Sequence, residues 1–471
     1  MSAVERFQQV RPLEELEVAL VRATLADPWA LGPGEEASLR WAISLARLGE
    51  VGPPERSVSL APDVAPFREE LVRRLTDALE RPDFAALGAF APEAAARSKQ
   101  LRDSLLLRHD GRLDPQSLDA ELREKKLVLS LGGGGGTSYV YLGAFALLEE
   151  HGLRPSLIAA TSMGAIHGLF RARSHTYDSG EVLAALRALS WSRLFRVLAI
   201  ENRYGLPAAL RLYLRGALLR HFQRDDGSPF TFRDLEIPML VTLSGIRRGM
   251  LPRPLSHYEH LVEPTRLALR PWLLKSKLEE VAAATSELAK PGVLDGIAVG
   301  QEDWTNDFDV VDAAGFSCAV PGLIHYDVLR PDPRMHELLG TLFTRRDLFR
   351  LVDGGLTENV PSRAAWDAVQ AGRIGSRNAL ILALDAFAPR LSTPLWLPLQ
   401  RIAAENVRAA NRYATVVRAF RQTPSPTQLI PSISTVVAAM NRGKVELSED
   451  LPLVRKLLAP LPPLDTIARA A

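Results

Sequence analysis

Two hydrophobic rhythms divide the chain. In residues 1–124 apolar side chains recur at spacings of three and four over Leu13 to Ala26, Glu35 to Leu48, Val64 to Leu79 and Ser98 to Leu107. That period predicts helices, and Gly32-Pro33-Gly34 and Gly52-Pro53-Pro54 punctuate them. From Lys126 the rhythm changes. Leu127-Val128-Leu129-Ser130-Leu131 and Leu157-Ile158-Ala159-Ala160-Thr161 are short apolar runs, as expected of strands covered on both faces of a parallel sheet. Between them lie five glycines, Gly132 to Gly136, and a helical stretch from Tyr139 to His151, closed by Gly152 with Pro155 beyond. Ile237 to Gly245 and Ala379 to Asp385 read as further core strands and Leu273 to Leu288 as a helix. Leu399 to Arg421 reads as one long helix before the Pro424-Ser425-Pro426 turn and a shorter helical tail. The fold class this predicts is α/β: a mostly parallel central sheet with helices on both faces, plus helical N-terminal and C-terminal regions.

The turn after the second strand carries the chemistry. Ala160-Thr161-Ser162-Met163-Gly164 is a G-x-S-x-G nucleophile elbow with Ala in the first position. An elbow swings its serine off a strand tip into a helix so tightly that the residues two before and two after must be small. Ala160 and Gly164 meet that demand. The helix that follows aims its N-terminal amides at the serine, where negative charge develops. The glycine run lacks the Lys of a phosphate loop, and Thr137 or Ser138 stands where a dinucleotide fingerprint needs its third Gly. A flexible linker has no place between a buried strand and a helix. What remains is a row of bare amides able to approach a reacting carbonyl, an oxyanion hole at Gly133, Gly134 and Gly135.

In this order the residues resemble the patatin-like phospholipases. That family opens on an apolar strand, G-G-G-x-R-G, a helix ending in Leu-Glu-Glu or similar, and then G-x-S-x-G. Its catalytic Asp lies far downstream in D-G-G or D-G-A. Leu351-Val352-Asp353-Gly354-Gly355-Leu356-Thr357-Glu358-Asn359-Val360-Pro361 is similar to that second motif, and Ala313 to Gly322 to the small-residue helix before it. The resemblance implies a Ser162–Asp353 dyad, with Gly354 and Gly355 turning the backbone so that the carboxylate reaches the elbow. Two departures stand out: Thr137 replaces the motif Arg and Ser138 its last Gly. The implied organisation is an N-terminal helical region over 1–124, a catalytic domain over 125–390 with insertions at about 174–229 and 252–307, and a helical extension over 391–471.

Composition narrows the partners. The 471 residues are 47% hydrophobic and 24% charged, with 57 basic against 55 acidic side chains, a net charge of +2. This predicts a soluble globular protein and no nucleic-acid partner. The single cysteine, Cys318, excludes an intrachain disulfide, fits a reducing compartment and reads as a small buried apolar residue. The N-terminus has no apolar signal segment, and no run reaches a membrane span. A cytoplasmic protein, free or peripheral at a membrane, is expected. No His and carboxylates have ligand spacing, so neither a metal nor a cofactor is expected. Ser190 to Arg224 carries seven Arg and one acid, Glu201, among Trp191, Phe195, Tyr213, Phe222 and several Leu. Cationic helices of this kind suit an anionic membrane surface; a packed segment covering the active-site mouth uses the same residues without a membrane.

The resemblance implies a serine lipid acyl hydrolase of phospholipase A, lysophospholipase or lipase type. Ser162 attacks an ester carbonyl, Asp353 takes the hydroxyl proton, and water hydrolyses the acyl-enzyme. Each oxyanion donor is typically worth about 3 kcal/mol of barrier. Thr137 cannot supply the charge of the family Arg, which predicts activity reduced or redirected toward particular substrates. Two alternatives stand beside hydrolysis. One is an acyltransferase with a histidine base, for which His325 and His167 are the candidates. The other is a catalytically silent lipid-binding or assembly protein.

Overall fold

The structure is a computed structural model and describes residues 3–80, 83–197, 202–261, 274–388 and 397–467. The chain forms two compact units, one of residues 1–127, 366–381 and 449–471, the other of 128–365 and 382–448. In the first, helices Ala3–Ala26, Pro33–Arg47, Ala61–Glu80 and Phe84–Arg108 surround a core of Leu13, Leu20, Trp41, Leu45 and Leu75. The Phe84–Arg108 helix is far longer than the Ser98–Leu107 stretch its leucines mark. Its buried face begins with Leu87, Ala91, Ala94 and Ala95, and alanine leaves little hydrophobic signal. The central helix starts on Pro33, and the Glu35 carboxylate reaches back to the Gly32 N–H at 2.7 Å. Glu121, buried in this unit, accepts from the Ser376 hydroxyl at 2.6 Å and from the Arg377 amide.

The second unit is built on an α/β sheet, mostly parallel and flanked by helices. Its order is Leu348–Asp353, Met239–Arg247, Pro155–Thr161, Lys126–Leu131, Ala379–Asp385 and Val416–Ala419, with Leu294–Val299 also pairing with Met239–Arg247. The strands read as continuous apolar runs because both faces are covered; all seven residues of Ala379–Asp385 are buried. The register places the site. Thr161, last of its strand, pairs with Thr242 in parallel, and Asp353, last of its strand, pairs with Leu243 in antiparallel. Two strand ends therefore stop at one level on either side of Met239–Arg247.

Two segments differ from their expected form. The helix expected over Leu399 to Arg421 runs only over Leu397–Asn411; Val416–Ala419 then joins the sheet. Its burial alternates, Val416 and Arg418 in, Val417 and Ala419 out, the period of a strand. In place of the helices expected over Ser190–Arg224 the described residues form two strands and two short α-helices. Phe195–Val197 pairs with Ala208–Leu212, which pairs with Gly322–His325, and only Trp191–Leu194 and Leu214–Leu218 are short α-helices. Gly205 and Pro207 interrupt helical spacing, and Leu210-Arg211-Leu212 alternates with period two. Leu198 and Glu201 lie outside the described residues, as does Leu273, the first residue of a helix that is described from Leu274 to Leu288.

Candidate active site

The Pro155–Thr161 strand runs straight into the Met163–Ala172 helix, and Ser162 alone makes the corner, at φ 53° and ψ −131°. It is one of two non-glycine residues with positive φ among those described, a conformation that costs roughly 1–3 kcal/mol. The surroundings enforce it. Ala160 is fully buried, and a methyl at Gly164 would overlap the Gly132 carbonyl. The Ser162 N–H donates to Ser317 Oγ at 2.7 Å, and that hydroxyl donates to the Thr242 carbonyl at 2.7 Å. Ser317 thus ties the corner to the neighbouring strand. Ser317→Ala leaves a buried N–H unpaired, and kcat is expected to fall about tenfold with KM little changed in steady-state ester hydrolysis.

The geometry brings Ser162 and Asp353 together. Ser162 Oγ donates to Asp353 Oδ2 at 2.8 Å, and the Gly355 N–H donates to Oδ1 at 2.7 Å. Burial lifts the Asp353 carboxyl to about 6, against the lowering effect of those two hydrogen bonds. Gly354 and Gly355 are needed here: a methyl on Gly354 would strike the Thr242 carbonyl, and one on Gly355 would lie 2.8 Å from Asp353 Oδ1.

The glycine run forms the opposite wall. Gly132 N–H donates to Leu384 O at 3.0 Å, Gly133 N–H to Asn359 O at 3.1 Å and Gly136 N–H to Pro426 O at 2.9 Å. Of the three amides expected to hold an oxyanion, that of Gly133 is therefore already engaged by the Asn359 carbonyl. Its glycine serves closeness instead, since a methyl there would stand 2.9 Å from Ser162 Cβ. Gly134 and Gly135 line the cavity, and their N–H groups donate to no acceptor among the described residues. The same holds for the Met163 N–H that opens the elbow helix. Gly134 at φ 146° and Gly135 at φ 59° hold conformations that side chains resist.

The family model for patatin-like phospholipases matches residues 129–366, about half of the chain, and this span contains Ser162, Asp353 and the glycine run. The chain belongs to the patatin-like phospholipase family. Its relatives are lipid acyl hydrolases in general. No curated protein matches the chain.

Around this patatin-like site lies a cavity of about 310 Å³, open on Ser162 and Asp353. Its walls are apolar: Phe170, Leu186, Trp191, Leu194, Phe195 and Leu212 among others. Trp191, Phe195 and several leucines of the 190–224 segment thus turn onto the cavity, whereas Tyr213 and Phe222 do not line it. Its arginines are engaged within the unit: Arg215 pairs with Asp309 at 2.7 Å and Arg224 with Asp234 at 2.6 Å, while Arg196 and Arg211 lie over the Tyr213 ring. Further wall residues, Phe387, Ala403, Pro426, Thr427 and Leu429, come from beyond the patatin-like span. The last three lead into helix Ile433–Ser448, which crosses helix Val140–Glu150 at paired glycines, Gly443 against the Val140 carbonyl and Gly143 against the Met440 carbonyl. The Tyr139 hydroxyl also donates to Leu429 O at 2.7 Å.

The histidines part ways. His167 lies in the cavity wall, edge-on to Tyr139 at 5.0 Å, and burial pushes it down to about 3, so it is neutral. His325, in strand Gly322–His325, does not line the cavity; its Nδ1 is 3.0 Å from the Leu206 carbonyl. Cys318 is buried as expected, but its thiol lies against Ser162, and burial followed by the Asp353 charge pushes it well up. No group of side chains fit to hold a metal ion is found among the described residues, and no described helix is long and apolar enough to cross a membrane.

Proposed function

We propose that the protein hydrolyses carboxylic ester bonds of acyl lipids, with Ser162 as nucleophile and Asp353 as the base. The 2.8 Å hydrogen bond from Ser162 Oγ to Asp353 Oδ2 carries this reading. An ester carbonyl over Ser162 is attacked by Oγ as its proton passes to Asp353; the carbonyl electrons become an oxyanion. The free amides of Gly134, Gly135 and Met163 are the donors that would receive it. Collapse expels the alcohol, which takes the proton from Asp353. Water then repeats the sequence and releases the fatty acid. The apolar cavity suits the acyl chain, and the 190–224 segment serves as its roof; half-exposed Trp191 at the edge of that segment is where contact with a lipid surface would begin. The region over 125–390, with wall residues from the chain after it, is the catalytic part in this reading.

The experiment is fatty-acid release from a panel of phospholipids, lysophospholipids and glycerides by the native chain and Ser162→Ala. Release by the native chain and none by the variant is expected; equal release by both overturns the reading. Because the base must be ionised, kcat/KM should rise with pH through about 6 and level off above it. An activity that falls as pH rises from 5 to 7 contradicts this. A chelator such as EDTA should leave hydrolysis unchanged. The transferase alternative finds no support at His325, which does not line the cavity and turns Nδ1 to the Leu206 carbonyl, and neutral His167 is a weak base at any pH where lipids are handled. For the silent alternative, Thr137 would have to remove the oxyanion donors, and the two glycine amides are present.

A further inference from the structure

Thr137 and Ser138, where the family motif has Arg and Gly, each place a hydroxyl on a carbonyl three residues back. Thr137 Oγ1 donates to Gly134 O at 2.9 Å, joined by the Thr137 N–H at 3.3 Å, and Ser138 Oγ donates to Gly135 O at 2.8 Å. A trans peptide points its C=O and N–H in opposite directions. The Gly134 carbonyl and the Gly135 amide share one peptide plane, so whatever holds the carbonyl aims the amide. Glycine planes rotate at little steric cost, and five in a row would leave that aim unset.

The two planes are held differently. The Gly135–Gly136 plane is fixed at both ends, its carbonyl by Ser138 and its N–H by the Pro426 carbonyl at 2.9 Å. The Gly134–Gly135 plane is fixed from the Thr137 side, and its N–H is left for the cavity. Thr137 is 2% exposed and is not part of the cavity lining, so it reaches a substrate only through the glycine. We propose that Thr137 is a positioning residue for the oxyanion: its hydroxyl holds the Gly134–Gly135 peptide with the amide turned toward Ser162, and this stands in for the motif Arg. The assignment rests on the hydrolase reading and adds to it the group that orders the loop.

The test is steady-state hydrolysis of a soluble ester, with the rate of fluorophosphonate labelling and thermal unfolding measured on the same samples. Thr137→Val, with Thr137→Ala should Val not fold, is expected to lower kcat and the labelling rate by about 10- to 100-fold, less than the roughly 100- to 1,000-fold for removing one oxyanion donor outright, because the amide is misaimed and not removed. KM should change less than about twofold, and the unfolding midpoint little. Thr137→Ser should recover most of the rate, and Ser138→Ala should lose less than Thr137→Val. Native kcat in Thr137→Val, equal losses in Thr137→Val and Ser138→Ala, or no recovery in Thr137→Ser would each overturn the assignment. If Ser162→Ala is dead while Thr137→Val is fully active, the assignment alone fails. If the native chain neither turns over nor labels at Ser162, the hydrolase reading fails and the assignment with it.

Discussion

Replacing Asp353 with Asn is expected to lower kcat by about 10⁴-fold while the chain stays folded. Asn fills the same volume and still accepts the Gly355 N–H, so the strand end and its turn are kept. What it loses is the one carboxylate that, among the described residues, accepts from Ser162 Oγ. Removing the acid of a three-residue triad costs on the order of 10⁴ even though a histidine remains; here neutral His167 offers no replacement base. Stability should move the other way. A carboxyl raised from its ordinary 3.8 to about 6 favours the folded state when protonated, and that benefit is lost as pH rises through about 6. At pH 8 the native chain therefore bears a buried charge that Asn does not, worth up to about 3 kcal/mol at 1.36 kcal/mol per unit. Denaturant unfolding at pH 8 should find Asp353→Asn at least as stable as the native chain. A variant that is both inactive and much less stable would show that Asp353 acts through the fold.

Gly143→Ala is expected to destabilise the second unit by about 3 kcal/mol and to reduce activity with it. The added methyl would occupy the position of the Met440 carbonyl, and helix backbones cannot yield as a side-chain tip does. The Ile433–Ser448 helix must then move away from Val140–Glu150. That shifts the segment before it, where the Pro426 carbonyl holds the Gly136 amide and the Leu429 carbonyl holds Tyr139. Gly340→Ala is the control: it lies in helix Pro333–Arg346 with nothing within 4 Å of the added carbon. It should be neutral or slightly stabilising. Equal melting curves for the two variants would remove the reason given for the glycine crossing.

Ser162, its small neighbours and Asp353 were legible in the sequence because each belongs to a local motif whose residues must be adjacent for steric reasons. The core strands were legible for the same kind of reason, as apolar runs buried on both faces. What could not be read depends on partners distant in the chain. Ser317 sits in a run of small residues, and nothing local says that its hydroxyl meets Ser162, 155 positions away. The engagement of the Gly133 amide by Asn359, and the arrival of Pro426 at Gly136, are likewise tertiary events. The 190–224 segment misled because arginines among leucines satisfy a helix, a strand or a membrane face equally. Its alternation at Leu210-Arg211-Leu212 was the available sign of a strand.

The most direct test of the Ser162–Asp353 pair is the rate and site of covalent labelling by a fluorophosphonate, followed by intact mass and peptide mapping. The pair predicts one adduct, on Ser162, formed faster as pH rises through about 6, absent in Ser162→Ala and slowed by orders of magnitude in Asp353→Asn. Labelling of Asp353→Asn at the native rate, or an adduct on another residue with fatty-acid release intact in Ser162→Ala, would contradict it.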